Sequence, residues 1–324
     1  MDQSPPFQIT SNILHLAQAI SHELGILTGA KLYPVPIALR RNNQIKTIQA
    51  SLAIEGNCLN ETQVTGIINA KKVIGPKKDL LEVQNAIKVY RNLSGWKPLE
   101  IDNLLAAHQQ LMQDLTDTCG RWRNRDVGIF SQKTLAHMAP PAKRVPLLME
   151  KLFDFINHNK QTTWLIKACI FHYELEFIHP FIDGNGRMGR LWQQLLLMKE
   201  HPIFEFIAVE SLIKQHQTDY YAVLGQCDRT GDSTAFIEFS LTIIDKTLKL
   251  YTKTAVSQTM HPEGRLVYAQ SHFNTWFTRK DYLELHKDIA SATASRDLAR
   301  GIAKKILVKK GEHNQAQYQF ISIE

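Results

Sequence analysis

The chain has 324 residues, of which 44% are hydrophobic and 21% charged, and it carries a formal net charge of +7. This length admits one large domain or two to three of about 100–200 residues each, and the composition is that of a globular chain with a sizeable core. The positive surplus favours an anionic partner, whether nucleotide, nucleic acid or phosphate, without choosing among them.

Cys58, Cys119, Cys169 and Cys227 are spread along the chain with no CxxC pair, which argues against a zinc site and against a dense disulfide framework. The apolar runs stop far short of the ~20 residues that span a bilayer. Residues 1–7 are polar and contain prolines, so neither a secretion signal nor a membrane anchor is expected and the cytoplasm is the default compartment.

In chain order, Ile13, Leu14, Leu16, Ile20 and Leu24 mark an amphipathic helix over residues 11–25. Ser51 and Glu55 are four apart, on one face if this stretch is helical, and Gly56 is placed to end that helix. Leu80, Leu81, Val83, Ile87, Val89 and Tyr90 mark another helix before the Ser94-Gly95 stop, and a third is predicted over residues 101–115. Residues 116–141 are irregular; Val127, Ile129 and Phe130 suit a short hairpin strand before the Pro140-Pro141 break. The helical period resumes at Leu147, Leu148, Leu152 and Phe153 and continues through Trp164, Leu165, Ala168, Phe171 and Leu175.

Residues 259–264 interrupt the pattern and read as a boundary. Beyond it, helical stretches near residues 265–275, 279–287 and 293–304 precede two short strands flanking a Lys309-Lys310-Gly311 turn, the order of a winged helix-turn-helix.

The chemistry-bearing string is His179-Pro180-Phe181-Ile182-Asp183-Gly184-Asn185-Gly186-Arg187-Met188-Gly189-Arg190. Pro180 breaks one helix, Asp183 is a candidate cap for the next, and the two glycines let the backbone bend towards a ligand. A loop feeding a helix N-terminus is an anion site. Arg187 and Arg190, three apart, suit a polyphosphate; Asp183 is a hard ligand for Mg2+; His179, with an ordinary pKa near ~6.5, suits a general base. Together they describe phosphoryl or nucleotidyl transfer. No Walker A loop is present.

This string resembles the signature HxFx(D/E)GNGRxxR of the Fic family at every specified position. The resemblance implies a mainly α fold, a Fic-type helical bundle with a small β-hairpin flap, followed here by the C-terminal winged helix-turn-helix. It implies transfer of AMP from ATP to a Ser, Thr or Tyr hydroxyl of a protein, the chain itself included, with release of pyrophosphate. By position, His179 would take the hydroxyl proton, Phe181 would anchor the loop, and Asp183 would hold Mg2+. Gly184, Asn185 and Gly186 would form the anion hole, Arg187 and Arg190 would bind phosphates, and Met188 and Gly189 would complete the ATP-binding turn. Ser51 to Gly56 resembles the family's inhibitory (S/T)xxxE(G/N) helix, expected over about residues 46–56, with Glu55 reaching into the ATP site to Arg190. Residues 126–141 correspond to the flap, where Val127, Ile129, His137 and Met138 would contact the target. His216 falls where relatives place an asparagine near adenine ahead of a Tyr-Tyr pair; Tyr220 and Tyr221 read as core residues.

The implied domains are residues 1–95 with the inhibitory helix, 96–258 as catalytic core, and 263–324 as the winged module. A homodimer is a further implied partner. Arg300, Lys304, Lys305, Lys309 and Lys310 form a basic cluster in the tail that suits DNA phosphates or a solvated face. The alternative readings are therefore a DNA-binding regulator with a nucleotide-sensing core, or an enzyme that chiefly removes AMP.

Overall fold

A computed structural model of the chain describes residues 5–29, 37–131, 134–270, 272–286, 289–312 and 315–321. Contacts divide the chain into two compact units, one of Met1–His22 with Asn42–Leu248 and one of Glu23–Arg41 with Lys249–Glu324. Among the described residues, no helix is long and apolar enough to cross a membrane.

Helices α1 (Ser11–Gly29) and α2 (Ile37–Ile54) are followed by α3 (Glu61–Ile68), α4 (Lys77–Arg91) and α5 (Ile101–Leu111). Thr10 caps α1 through its hydroxyl, which accepts from the Ile13 amide at 3.1 Å. The buried face of α1 is Ile13, Ile20, Leu24 and Leu27, whereas Leu14 is exposed and Gly25 lies within the helix. Helix α5 stops four residues short of the expected end at 115. Asp114 adopts a left-handed φ of 60°, which a continuing helix cannot accommodate.

A two-stranded antiparallel hairpin follows, β1 (Gly128–Ser131) and β2 (Thr134–Met138). Val127 lies just before the first strand. Helix α6 (Val145–His158) then leads into α7 (Trp164–Ile178) and α8 (Asn185–Glu200), which pack on one another at the heart of the first unit. Leu165, Ile166, Cys169, Ile170, Phe171 and Leu175 are buried around α7, and a helix apolar on every side belongs in a core. Helices α9 (Val209–Gln215), α10 (Gln217–Thr230) and α11 (Thr234–Met260) complete the bundle's order. All four cysteines are free thiols, with Cys169 and Cys227 buried.

The break expected over residues 259–264 narrows to His261, because α11 runs to Met260 and α12 (Pro262–Gln270) opens on a proline, which needs no N–H partner there. The second unit continues with β3 (Phe277–Thr278), α13 (Arg279–Leu285), α14 (Ser291–Ala303), β4 (Leu307–Lys310) and β5 (Gln317–Phe320). Its sheet has the order β3-β5-β4, antiparallel throughout, so the expected two-stranded hairpin gains a third, two-residue strand. Leu266, Phe277, Tyr282, Leu298 and Leu307 form its apolar centre. Within it, Arg265 and Asp297 make a buried, bidentate ion pair at 2.6 and 2.9 Å.

Candidate active site

The site begins where α7 ends. His179 closes that helix in a left-handed conformation, φ 50°, with its amide on the Leu175 carbonyl. The loop that follows is tied from both sides. The buried Arg123 guanidinium donates to the carbonyls of His179 (2.7 Å), Ile178 (3.3 Å) and Arg125 (3.0 Å), and also to that of Pro140. Phe181 is fully buried and stacks on His108 with ring centres 3.6 Å apart. The Asn185 side chain reaches back to Phe181, accepting from its amide at 2.9 Å and donating to its carbonyl at 3.0 Å.

His108 has one protonation form that fits its partners. Nδ1 accepts from the Gly120 amide at 2.8 Å, so the proton sits on Nε2 and is donated to the Asp183 carbonyl at 2.9 Å. Burial pushes its pKa down to about 4, which keeps the ring neutral.

The tip of α8 comes next. Gly184, not Asp183, occupies the cap position, with φ 89°, and a Cβ there would come within 2.8 Å of the Met112 sulfur. Asp183 acts beside the cap: its Oδ1 accepts from the Gly184 amide (2.6 Å) and from Arg187 Nη2 (2.8 Å). The amides of Asn185, Gly186 and Arg187 open the helix and have no carbonyl one turn back to bond, which leaves them for an anion. Arg187 is buried and braced by Glu82 at 3.0 Å as well as by Asp183. Of the two other residues expected at the ATP-binding turn, Met188 is fully buried, and a Cβ on Gly189 would come within 2.7 Å of the His172 ring.

Arg190 is the most enclosed cation of the site, its side chain 1% exposed. Nη2 lies 2.7 Å from Glu55 Oε1 and 2.9 Å from the Ser51 carbonyl, and Nε lies 3.1 Å from Ser51 Oγ. Burial opposes its charge, but Glu55, then Tyr220 and Glu176, hold it above the ordinary arginine range. Glu55 sits in the turn after α2, followed by Gly56 at φ 92°. The Ile54 carbonyl accepts from Gln217 Nε2 (2.9 Å) and from the Tyr221 hydroxyl (3.4 Å). Asn57 then fastens the turn to α4 through the Asp79 carbonyl (3.1 Å) and Glu82 (2.8 Å).

Gly186 keeps this junction open. A Cβ there would strike Glu55 Oε1 and come within 3.1 Å of both Arg190 Nη1 and Glu176 Oε1. Glu176 is thus a second carboxylate at the pocket floor, bonded by the Tyr220 hydroxyl at 3.1 Å, with Tyr220 in turn 3.0 Å from His172 Nε2. Burial, reinforced by Glu55, pushes Glu176 up to about 7; burial pushes His172 down to about 3.

The donor set suits Mg2+. Asp183 is half exposed (48%), and its Oδ2 makes no hydrogen bond among the described residues. One free carboxylate oxygen beside an anion cradle matches an ion that takes one or two protein carboxylates and completes its shell with phosphate oxygens and water. Among the described residues, no group of three or more His, Cys, Asp or Glu forms a cage made of protein alone.

The remaining expected contacts lie around this centre. His216, at the α9–α10 junction, pairs with Asp219 at 3.3 Å. Ile129 and His137 face each other in the hairpin register; their side chains lie outside the described residues. Met138 is 62% exposed. Tyr220 is buried, whereas Tyr221, expected in the core, is half exposed with its hydroxyl on Ile54. Arg123, His108, Glu82 and Glu176 carry no sequence signal of their own. Arg123 stands in a run with Arg121, Asn124, Arg125 and Asp126, and Glu176 two residues from Glu174, so nothing local singles either out; packing does.

A family model described as Fic/DOC family matches residues 98–197. The crystal structure of a Fic family protein from Desulfovibrio desulfuricans G20 is 36% identical, aligns over 99% of each chain and has a TM-score of 0.73. The protein adenylyltransferase Fic of Drosophila erecta is 30% identical over 229 residues, 66% of this chain and 43% of that relative. The chain thus spans about half the length of the curated relatives it matches. Fic-1 (residues 134–508) of C. elegans shares the fold at 21% identity, with a TM-score of 0.61 over 76% of this chain and 73% of that one.

Proposed function

The chain belongs to the Fic/DOC family, and from that premise we propose that it is a self-restrained protein adenylyltransferase. Its substrates are ATP and a Ser, Thr or Tyr hydroxyl on a protein, itself among them. His179 takes the hydroxyl proton. The freed oxygen forms a bond to the α-phosphorus, the bond to the bridging oxygen of the β-phosphate breaks, and pyrophosphate leaves. The α8 amides and Arg187 hold the phosphates, and Arg190 receives the terminal one. Asp183 would hold Mg2+, which when bound neutralises phosphate charge. His108, Phe181, Asn185 and Arg123 position the loop that carries His179.

The observation that carries the reading is the Glu55–Arg190 pair, 2.7 Å long, at the tip of α8. With a carboxylate on its guanidinium, Arg190 is lost to phosphate, and a nucleotide bound beside it meets the hydroxyl out of line. Residues 46–56 therefore form the restraint, residues 1–95 and 96–258 the transferase, and residues 263–324 a winged helix-turn-helix module. Arg300 and Lys304 of the basic tail both pair with the half-exposed Glu263, at 3.4 and 3.0 Å, which offsets part of the charge a DNA-facing patch would use.

The test is mass spectrometry of lysate and purified protein incubated with isotopically coded ATP and the Glu55→Gly variant. A 5′-AMP adduct on Ser, Thr or Tyr is expected, absent with His179→Ala. No adduct in any sample, with ATP binding intact, refutes the reading.

A further inference from the structure

Arg190 has five N–H donors in a fixed fork, and only part of that fork is engaged by the restraint. Nε and Nη2 are taken by Ser51 and Glu55, both at the end of α2. Nη1 is buried without a hydrogen-bond partner among the described residues. If Glu55 withdraws, the guanidinium loses the one ion pair it makes among the described residues while remaining in the interior, where its charge must be offset by the buried acids still near it, Glu176 and Glu210.

A third acid, Glu210, shares a cavity with Arg190. Arg190, Gln193, Gln194 and Glu210 line an internal cavity of about 10 Å³, closed otherwise by Leu197, Phe204, Val209 and Ile213. Glu210 is 2% exposed. Glu210 Oε2 and Gln194 Oε1, like Arg190 Nη1, are buried without a hydrogen-bond partner among the described residues. The cavity is about the size that holds one water molecule, which needs two to four polar neighbours. A water there would have these three groups to bond, accepting from Arg190 Nη1 and donating to Glu210 Oε2 and Gln194 Oε1. Burial pushes Glu210 up to about 7, against the attraction of Arg190.

We propose that Glu210 is a positioning residue for Arg190, joined to it through a water molecule held in this cavity, and that it keeps the guanidinium aimed at the phosphate site once Glu55 has left. This rests on the reading of Arg190 as a phosphate-binding cation. Glu55 and Glu210 then act in turn: the first withholds the arginine, the second holds it ready.

The experiment combines Glu55→Gly with Glu210→Leu or Glu210→Gln. Leu removes the acceptor, and Gln keeps the volume and an acceptor for the water. Melting curves verify the folding of each, and Gln alone suffices for the kinetics if Leu does not fold. With Leu, kcat for AMP transfer falls about tenfold or more, the worth of a lost hydrogen bond to a charged group, while KM for ATP stays nearly constant because the α8 amides still bind it. Gln recovers part of the loss when compared with Leu, and alone it falls below the Glu55→Gly parent. Rates equal to the parent in both variants overturn the proposal. If the Glu55→Gly parent transfers no AMP at all, the reading of the reaction fails, and crystal structures of the same proteins decide the positioning role. Ordered water between Arg190 and Glu210 in the parent, with Arg190 displaced in the double variant, supports it; an unmoved guanidinium or an empty cavity overturns it.

Discussion

Replacing Glu55 by Gln keeps the shape of the restraint and removes its charge. The contact at stake is one charge-assisted hydrogen bond of 2.7 Å to a guanidinium that is 1% exposed, from a carboxylate that is 29% exposed. Bonds of this kind contribute ~1.5–3 kcal/mol, and neutral ones ~0.5–1.5. Glutamine retains the neutral share, so the balance between restrained and open forms shifts by ~1–1.5 kcal/mol, about tenfold. Glycine removes the whole contact and shifts it further, up to about a hundredfold. Both variants leave the Ser51 carbonyl and hydroxyl on Arg190, so neither should unfold the site. Initial rates of AMP incorporation from radiolabelled ATP should therefore rise in the order wild type, Glu55→Gln, Glu55→Gly. Equal rates across the three proteins, or a Gln variant slower than wild type, would refute the restraint and with it the role given to Arg190.

Three further outcomes follow from the same geometry. His179→Ala should abolish labelling while leaving ATP affinity, measured by calorimetry, essentially unchanged, since the phosphate cradle lies on α8; a parallel loss of binding contradicts that division. Asn57→Ala takes a bond from the buried Glu82 and frees the turn that carries Glu55. It should lower stability by ~1–3 kcal/mol and raise basal labelling several-fold, with no added effect in a Glu55→Gly background. Glu176→Gln tests the buried acid: between pH 4.5 and about 7 the native carboxyl keeps a proton that the unfolded one has released. Wild-type stability should therefore fall relative to the variant as pH rises through that window, by up to ~1.4 kcal/mol per pH unit, and the difference should level off above it. Urea midpoints whose difference does not change with pH speak against the burial of Glu176.

What was legible in the sequence is what is local. The helix ends at Pro180, the bend at Gly184 and the cations at Arg187 and Arg190 all stand within one short string, and the stripes of α4 and α6 follow their period. The stripe read for α7 at Trp164, Leu165, Ala168, Phe171 and Leu175 shows only one of its faces, because Ile166, Cys169, Ile170 and His172 are buried as well. The misplaced cap arose because Asp183 and Gly184 both suit a helix start, and only the backbone distinguishes φ 89° at Gly184 from a side-chain cap. The partners that hold the site are non-local: Glu82 meets Arg187 across 105 positions, and His108 meets Asp183 across 75. Nothing near Glu82 or His108 in the chain marks them, since their role exists only after folding. Strand β3, two residues long, has no period at all.

Arg123 couples two parts of the site mechanically. Its planar guanidinium and Nε grip the end of α7 and the residue after it on one side, and on the other the Pro140 carbonyl just past the hairpin. The exit of β2 and the backbone of His179 are therefore bolted to one rigid part. A peptide laid along the hairpin would be indexed against the imidazole as against the stop of a ruler, so that residues are selected by their offset from the strand. Such a protein would choose its modification point by position along the chain more than by the side chains around it.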